Sequence, residues 1–158
     1  MPKATFWTLL FSCPTAIRRT PRRFLKGRVA IPLHDADARL VGYAGRIVDD
    51  AEIGEDNPRY KFPGTREREG KLLEFRKTLF LYNGFRFKTP LDELIVVEGF
   101  TAVWWLHQSG LPHVVGVMGS DCSEKQGELI VSLVKPTGQV WLCPDRRRFQ
   151  GCGISSAA

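Results

Sequence analysis

The chain has 158 residues, 43% hydrophobic and 25% charged, which allows one compact core with a smaller lobe and is too apolar for a disordered polymer. Its 23 Lys and Arg outnumber 17 Asp and Glu for a net charge of +6, a balance that favours polyanionic partners such as nucleic acid. No stretch approaches the ~20 apolar residues of a membrane-spanning helix. Cys13, Cys122, Cys143 and Cys152 are scattered, without a CxxC pair or a histidine at ligand spacing, so neither a zinc site nor a disulfide framework is indicated and a cytoplasmic setting is expected.

Residues 1–24 combine a short apolar run, Phe6 to Phe11, with Pro2, Pro14 and Pro21 and the basic Arg18, Arg19, Arg22 and Arg23. No period for helix or strand holds there, and the segment reads as a flexible basic leader. Leu10-Phe11-Ser12-Cys13 faintly suggests a lipoprotein-type cleavage site, but the apolar run is short and arginines follow closely. From Gly27, Val29, Ile31 and Leu33 alternate with other residues, turn residues follow from His34 to Arg39, and Leu40, Val41, Tyr43 and Ala44 resume. This predicts a β-hairpin whose loop, Asp35-Ala36-Asp37-Ala38, lacks a glycine for positive φ.

Asp49 to Gly70 reads as an exposed connector with a short strand at Arg59 to Phe62, and Lys71 to Arg76 as helical, though without a cap. Lys77 to Tyr82 is expected as a strand closed by the turn dipeptide Asn83-Gly84. The resulting division is a β-rich segment over 25–90, an α/β segment over 91–145 and an irregular tail over 146–158.

In the α/β segment Leu94 to Val97 has the continuous apolar character of a buried parallel strand and stops at Glu98-Gly99. Phe100, Val103, Trp104 and Leu106 then follow helical spacing up to the stop signal Ser109-Gly110. Val114 to Met118 is a second buried strand. Ser123 is placed as the N-cap of a second helix, with Gln126 at the capping-box position three residues on. That helix is expected to run through Leu129, Ile130, Leu133 and Val134 and to stop at Pro136-Thr137-Gly138. Val140 to Cys143 is the third strand, ending at Pro144-Asp145. The order strand, helix, strand, helix, strand calls for a parallel sheet with right-handed crossovers, whose chemistry collects at the strands' carboxyl ends, where Glu98 and Asp145 fall.

Several strings in order carry a resemblance. They are Gly27 to Asp35, Leu40 to Arg46, Tyr60 to Pro63, Lys77 to Asn83, Val96-Val97-Glu98-Gly99-Phe100, Met118-Gly119-Ser120 and Leu142-Cys143-Pro144-Asp145. Together they resemble the toprim domain of DnaG-like DNA primases, including toprim proteins of plasmids and mobile elements. The resemblance implies an α/β fold with a toprim-like, Rossmann-type parallel sheet preceded by a small β-rich lobe. It also implies the DNA-directed synthesis of RNA primers, with single-stranded DNA and nucleoside triphosphates as partners and a replicative helicase as a further one. Within it Glu98 is an acid/base or metal-organising group, Asp145 the first ligand of Mg2+ (or Mn2+), and Arg28, Arg46 and Lys77 face nucleic-acid or nucleotide phosphates. Magnesium suits such a site because it takes hard oxygen ligands from one or two carboxylates and shares the rest with phosphates.

The chain departs from the pattern at Pro144-Asp145-Arg146-Arg147-Arg148: the family's second metal aspartate falls at Arg147, where a cation weakens magnesium binding. Asp121, after the second strand, is a weaker substitute. Only Arg146 to Ala158 follow Asp145, which leads to the expectation of a truncated or frame-disrupted relative. Two functions therefore compete, a primase-like nucleotidyltransferase and a non-catalytic nucleic-acid-binding replication protein that keeps the fold. A toprim nuclease or topoisomerase is disfavoured by the Gly27 to Arg46 segment. Adjacent Trp104 and Trp105 point in different directions on a helix, and at least one is expected in the core; His34, His107 and His113 are expected to be structural.

Overall fold

A computed structural model describes residues 24–68 and 70–145. The expected leader, up to its last residue, and the tail with Arg147 lie outside the described residues. By its contacts the chain divides into two compact units, one taking the chain up to Leu33 together with Leu40–Phe75, the other His34–Arg39 and everything from Arg76 on. Residues 76–90, grouped in sequence with the amino-terminal lobe, thus belong to the second unit.

The first unit is built on the strands of the expected hairpin, whose loop His34–Arg39 counts with the second. Strands β1 (Arg28–His34) and β2 (Leu40–Ile47) pair, and the short β3 (Tyr60–Lys61) adds to β2 in antiparallel register, Gly45 opposite Lys61. Alternation places Ile31 and Leu33 in a core with Ala44 and Ile47, all nearly inaccessible. The loop solves its lack of glycine with an aspartate: Asp35 Oδ1 accepts from the N–H groups of Asp37 and Arg39 at 3.0 and 2.9 Å. That support holds Ala38 at φ 65°, a region L-residues otherwise avoid.

The segment expected as helical, Lys71 to Arg76, is instead strand β5 (Lys71–Leu73), paired antiparallel with β4 (Arg66–Arg68). Six uncapped residues cannot offset helix nucleation, whereas Gly70 at φ 71° closes a hairpin that supplies backbone partners at once.

The second unit is the α/β layer. Strand β6 (Leu91–Val97) lies between β7 (Val114–Gly116) and β8 (Val134–Cys143), parallel to both, while helices α1 (Phe100–Gln108) and α2 (Glu124–Ser132) make the crossovers. The fold is therefore α/β, with the expected strand–helix alternation. Both faces of β6 are covered, which explains its unbroken apolar run. Leu94 and Val96 pack with Leu81, Val115, Val117 and Ile130, and Val97 with Val103 and Val114. Helix α1 ends as its sequence requires, with Gly110 at φ 89°. Helix α2 begins with the full capping box between Ser123 and Gln126.

Two expectations in this unit are overturned. Lys77 to Tyr82 is not a strand: Lys77–Leu79 form a 3-10 turn, and Tyr82 makes one bridge with Gly116. The carbonyls a strand would offer to a ladder are taken by side chains of the α2 cap, Thr78 by Ser123 and Lys77 and Phe80 by Gln126. Helix α2 also stops at Ser132, and β8 starts at Val134, before the Pro-Thr-Gly string expected to halt the helix. That string lies in a bulge: Leu91 opposes Val134 but Glu93 opposes Gln139, so Lys135 to Gly138 face Asp92 alone. A Cβ on Gly138 would stand 2.8 Å from the Asp92 carbonyl oxygen and 2.9 Å from that of Leu91, so the bulge requires glycine.

Candidate active site

Because β6, β7 and β8 are parallel, their carboxyl ends share one edge of the sheet. Glu98 leaves β6 there, immediately before Gly99, the N-cap of α1, and Asp145 lies just beyond the last residue of β8. The two are joined directly: Glu98 Oε1 accepts a hydrogen bond from the Asp145 backbone N–H at 3.0 Å. A charged acceptor makes this bond stronger than a neutral one, and it fixes one oxygen of Glu98 beside the start of the Asp145 side chain. Glu98 is half-buried and Asp145 exposed, so both carboxylates reach solvent. Both acids therefore lie at the strand ends where the sequence put them, within one hydrogen bond of each other. Asp121 lies in the loop after β7, where its Oδ2 accepts from the Ser120 hydroxyl at 3.2 Å.

Lys77 comes to the same edge from outside the sheet. Its ammonium lies against the loop after β7, so close that a Cβ on Gly119 would be 3.1 Å from Nζ. The chain enters that loop through Met118 at φ 60°, a strained value for a residue with a side chain. Beneath the edge, Tyr82 packs edge-on against Phe100 at 4.7 Å and its hydroxyl accepts from Trp104 Nε1 at 2.8 Å. Burial pushes the Tyr82 phenol above its ordinary range, with the Trp104 hydrogen bond and the charge of Arg86 opposing. Trp104 is therefore a packed residue, and Trp105 on the same helix is 72% exposed, as neighbours pointing different ways must be.

Arg28 and Arg46 belong to the other unit and meet their own backbone. Arg28 Nη1 donates to the carbonyls of Pro58 at 2.8 Å and Gly45 at 3.1 Å, and Nη2 donates to the Asn57 carboxamide oxygen. Arg46 Nη1 donates to the Ile47 carbonyl at 2.8 Å and Nη2 pairs with Asp50 at 3.4 Å, while its buried Nε has no acceptor among the described residues. Of the five residues singled out in the sequence, Glu98 and Asp145 are joined at the sheet edge, Lys77 lies against the loop after β7, and Arg28 and Arg46 tie down the hairpin and its connector.

Gln126 was recognised in the sequence only as a capping residue. It is 1% exposed and its amide also reaches Val117 O at 2.8 Å, binding the Lys77 turn to the β7 exit. The capping-box spacing gave its place but held no sign of these distant carbonyls.

Among the described residues no group of three or more Asp, Glu, His or Cys side chains could hold a metal ion. Two carboxylates at one sheet edge fit a magnesium ion that takes its remaining ligands from phosphates and water, and do not fit one caged by protein alone.

No family model matches the chain. The DNA primase of Geobacillus stearothermophilus is 29% identical over 135 residues, which cover 84% of this chain. The Aquifex aeolicus primase, solved as its zinc-binding and RNA polymerase domains, superposes with a TM-score of 0.60 at 25% identity over 84% of this chain. The DnaG primase catalytic domain bound to single-stranded DNA does so with a TM-score of 0.53 at 26% identity over 74% of the chain. The chain is a homologue of DnaG-like primases. It carries their toprim-like α/β fold, and the glutamate and aspartate that the resemblance singled out stand together in it. This primase homologue spans only 20% of the Geobacillus protein and 30% of the Aquifex chain. No helix among its described residues is long and apolar enough to cross a membrane.

Proposed function

We propose that this chain is a primase-like toprim protein of DNA replication, acting in the cytoplasm on single-stranded DNA and nucleoside triphosphates in the synthesis of RNA primers. The observation that carries the reading is the hydrogen bond from the Asp145 N–H to Glu98 Oε1, which brings together the two acids that the family resemblance assigns to the site. The likeness to a DnaG catalytic domain bound to single-stranded DNA and the +6 net charge support a nucleic-acid partner. A replicative helicase as a further partner rests on the family resemblance alone.

In this reading Glu98 accepts the proton of an attacking 3′-hydroxyl with the oxygen left free by Asp145, while the other stays fixed by its hydrogen bond. Asp145 would hold a divalent cation together with nucleotide phosphates. When bound, such a cation supplies charge stabilisation for the displaced pyrophosphate oxygen. Lys77, whose ammonium lies against the loop after β7, neutralises phosphate oxygens there.

A second reading, a non-catalytic nucleic-acid-binding protein with this fold, is favoured by one observation: Arg147 stands where the family has its second metal aspartate. Primer synthesis on single-stranded DNA with magnesium or manganese, in the wild type, Glu98→Gln and Arg147→Asp, separates the two. Catalysis in the wild type that falls on the order of 100-fold or more in Glu98→Gln supports the first. Primers made only by Arg147→Asp mark a site whose chemistry is blocked by that one cation. No primers from either protein, with DNA binding that weakens as salt rises, establishes the second. Loss of DNA binding as well would end both.

A further inference from the structure

We infer that Gln126 is a positioning residue for the sheet-edge site: through its carboxamide it sets where the Lys77 ammonium stands relative to the β7 exit. The inference rests on the proposed phosphate-binding reading for its consequence, but not for its geometry. Gln126 is a fully buried polar side chain whose Oε1 accepts from the Ser123 N–H at 3.1 Å. Its Nε2 donates to Val117 O at 2.8 Å, Phe80 O at 2.9 Å and Lys77 O at 3.2 Å. A primary amide has two hydrogens for these three oxygens, so one bond is shared and the group has no spare donor.

These three carbonyls belong to two segments, the Lys77 turn and the residues after β7, which also meet through the packing of Leu81 with Val117. The 77–82 segment has no ladder beyond the Tyr82–Gly116 bridge, and β7 has already ended at Gly116. Ser123 adds a bond from its hydroxyl to Thr78 O at 2.6 Å. The amino-terminal turn of α2 is therefore a clamp that holds the Lys77 turn against the residues following β7. Lys77 Nζ in turn lies where a Cβ on Gly119 would meet it first, at 3.1 Å. Moving the clamp moves the cation that an incoming phosphate would meet at that loop.

The test uses the full chain with its lysine amines carrying 13C-methyl groups, the Lys77 signal being identified by its loss in Lys77→Arg. Two quantities are read: the Lys77 methyl signal, and affinity for inorganic tripolyphosphate at a temperature where every variant is folded. Gln126→Met, which keeps the side-chain volume and removes the donors, is expected to shift the Lys77 signal. It should weaken tripolyphosphate binding by about the same tenfold as Lys77→Ala, with no further loss in the double variant. An unshifted Lys77 signal overturns the inference, whatever the affinity does. A full additional loss in the double variant also overturns it, since Gln126 would then act other than through Lys77. If the signal shifts but neither wild type nor variants bind tripolyphosphate, the positioning stands and the phosphate reading falls. Should Gln126→Met not fold, Ser123→Ala removes the Thr78 tie together with the N-cap bond from the Gln126 N–H and is expected to shift the same signal less; no shift there overturns the inference.

Discussion

In the amino-terminal unit Arg28 turns onto the carbonyls of Gly45 and Pro58 and the side chain of Asn57, and Arg46 onto the Ile47 carbonyl and the Asp50 carboxylate. In the α/β unit Glu98 and Asp145 stand at an edge where one backbone N–H joins them and solvent reaches both. An arginine fork that matches a phosphate also matches a cluster of carbonyls, so the residue type alone cannot say which it meets. A glutamate at the end of a parallel strand has fewer alternatives, because the topology already carries it to the edge where ligands bind. The comparison teaches that strand order predicts the position of a candidate side chain more securely than charge does.

The comparison can be broken first in the α/β unit. Gly138→Ala forces a Cβ against two carbonyl oxygens in the bulge that registers β8 on β6, and is expected to cost about 3 kcal/mol in urea unfolding. Near-neutrality would mean that the bulge does not set the register that brings Asp145 to Glu98. In the amino-terminal unit, Arg28→Met removes the staple while keeping most of the volume, and is expected to cost about 1–2 kcal/mol of stability. If stability is unchanged and single-stranded DNA affinity falls instead, Arg28 is a phosphate ligand after all and the contrast between the units fails.

The smallest effect concerns His34, beside a cleft of about 370 Å³ lined among others by Phe80, Phe85 and Leu129. Burial, then the charge of Arg86, lowers its pKa below the ordinary 6.5, with Asp35 opposing. The unfolded chain therefore binds this proton more readily than the folded one. Its contribution is fully present above pH 6.5 and is lost as pH falls from there through the folded-state pKa. His34→Gln should flatten that part of a stability-versus-pH curve, and an unchanged slope would assign it to other groups.

Several features were legible because local chemistry had one good solution. The apolar continuity of Leu94 to Val97 in β6, the Ser123–Gln126 capping box and the Gly110 stop each name their own structure, and each was found where expected. The errors lie where local signals are short and distant groups decide. Lys77 to Tyr82 has the composition of a strand but gives its carbonyls to Ser123 and Gln126, more than forty residues away in the chain. Lys71 to Arg76 is too short for periodicity to choose, and a glycine turn settled it as a hairpin arm. Likewise, Pro136-Thr137-Gly138 signals a break without saying whether the break ends a helix or bulges a strand.

By itself the sequence determined the α/β alternation and the strand-end positions of Glu98 and Asp145, because burial of both sheet faces and right-handed crossovers leave few arrangements for that pattern. Tertiary structure alone decided which cations are consumed, how Lys77 reaches the β7 exit and that Gln126 is buried against three foreign carbonyls. Those outcomes depend on hydrogen-bond partners far apart in the chain, and a donor's identity does not reveal which acceptor folding will place before it.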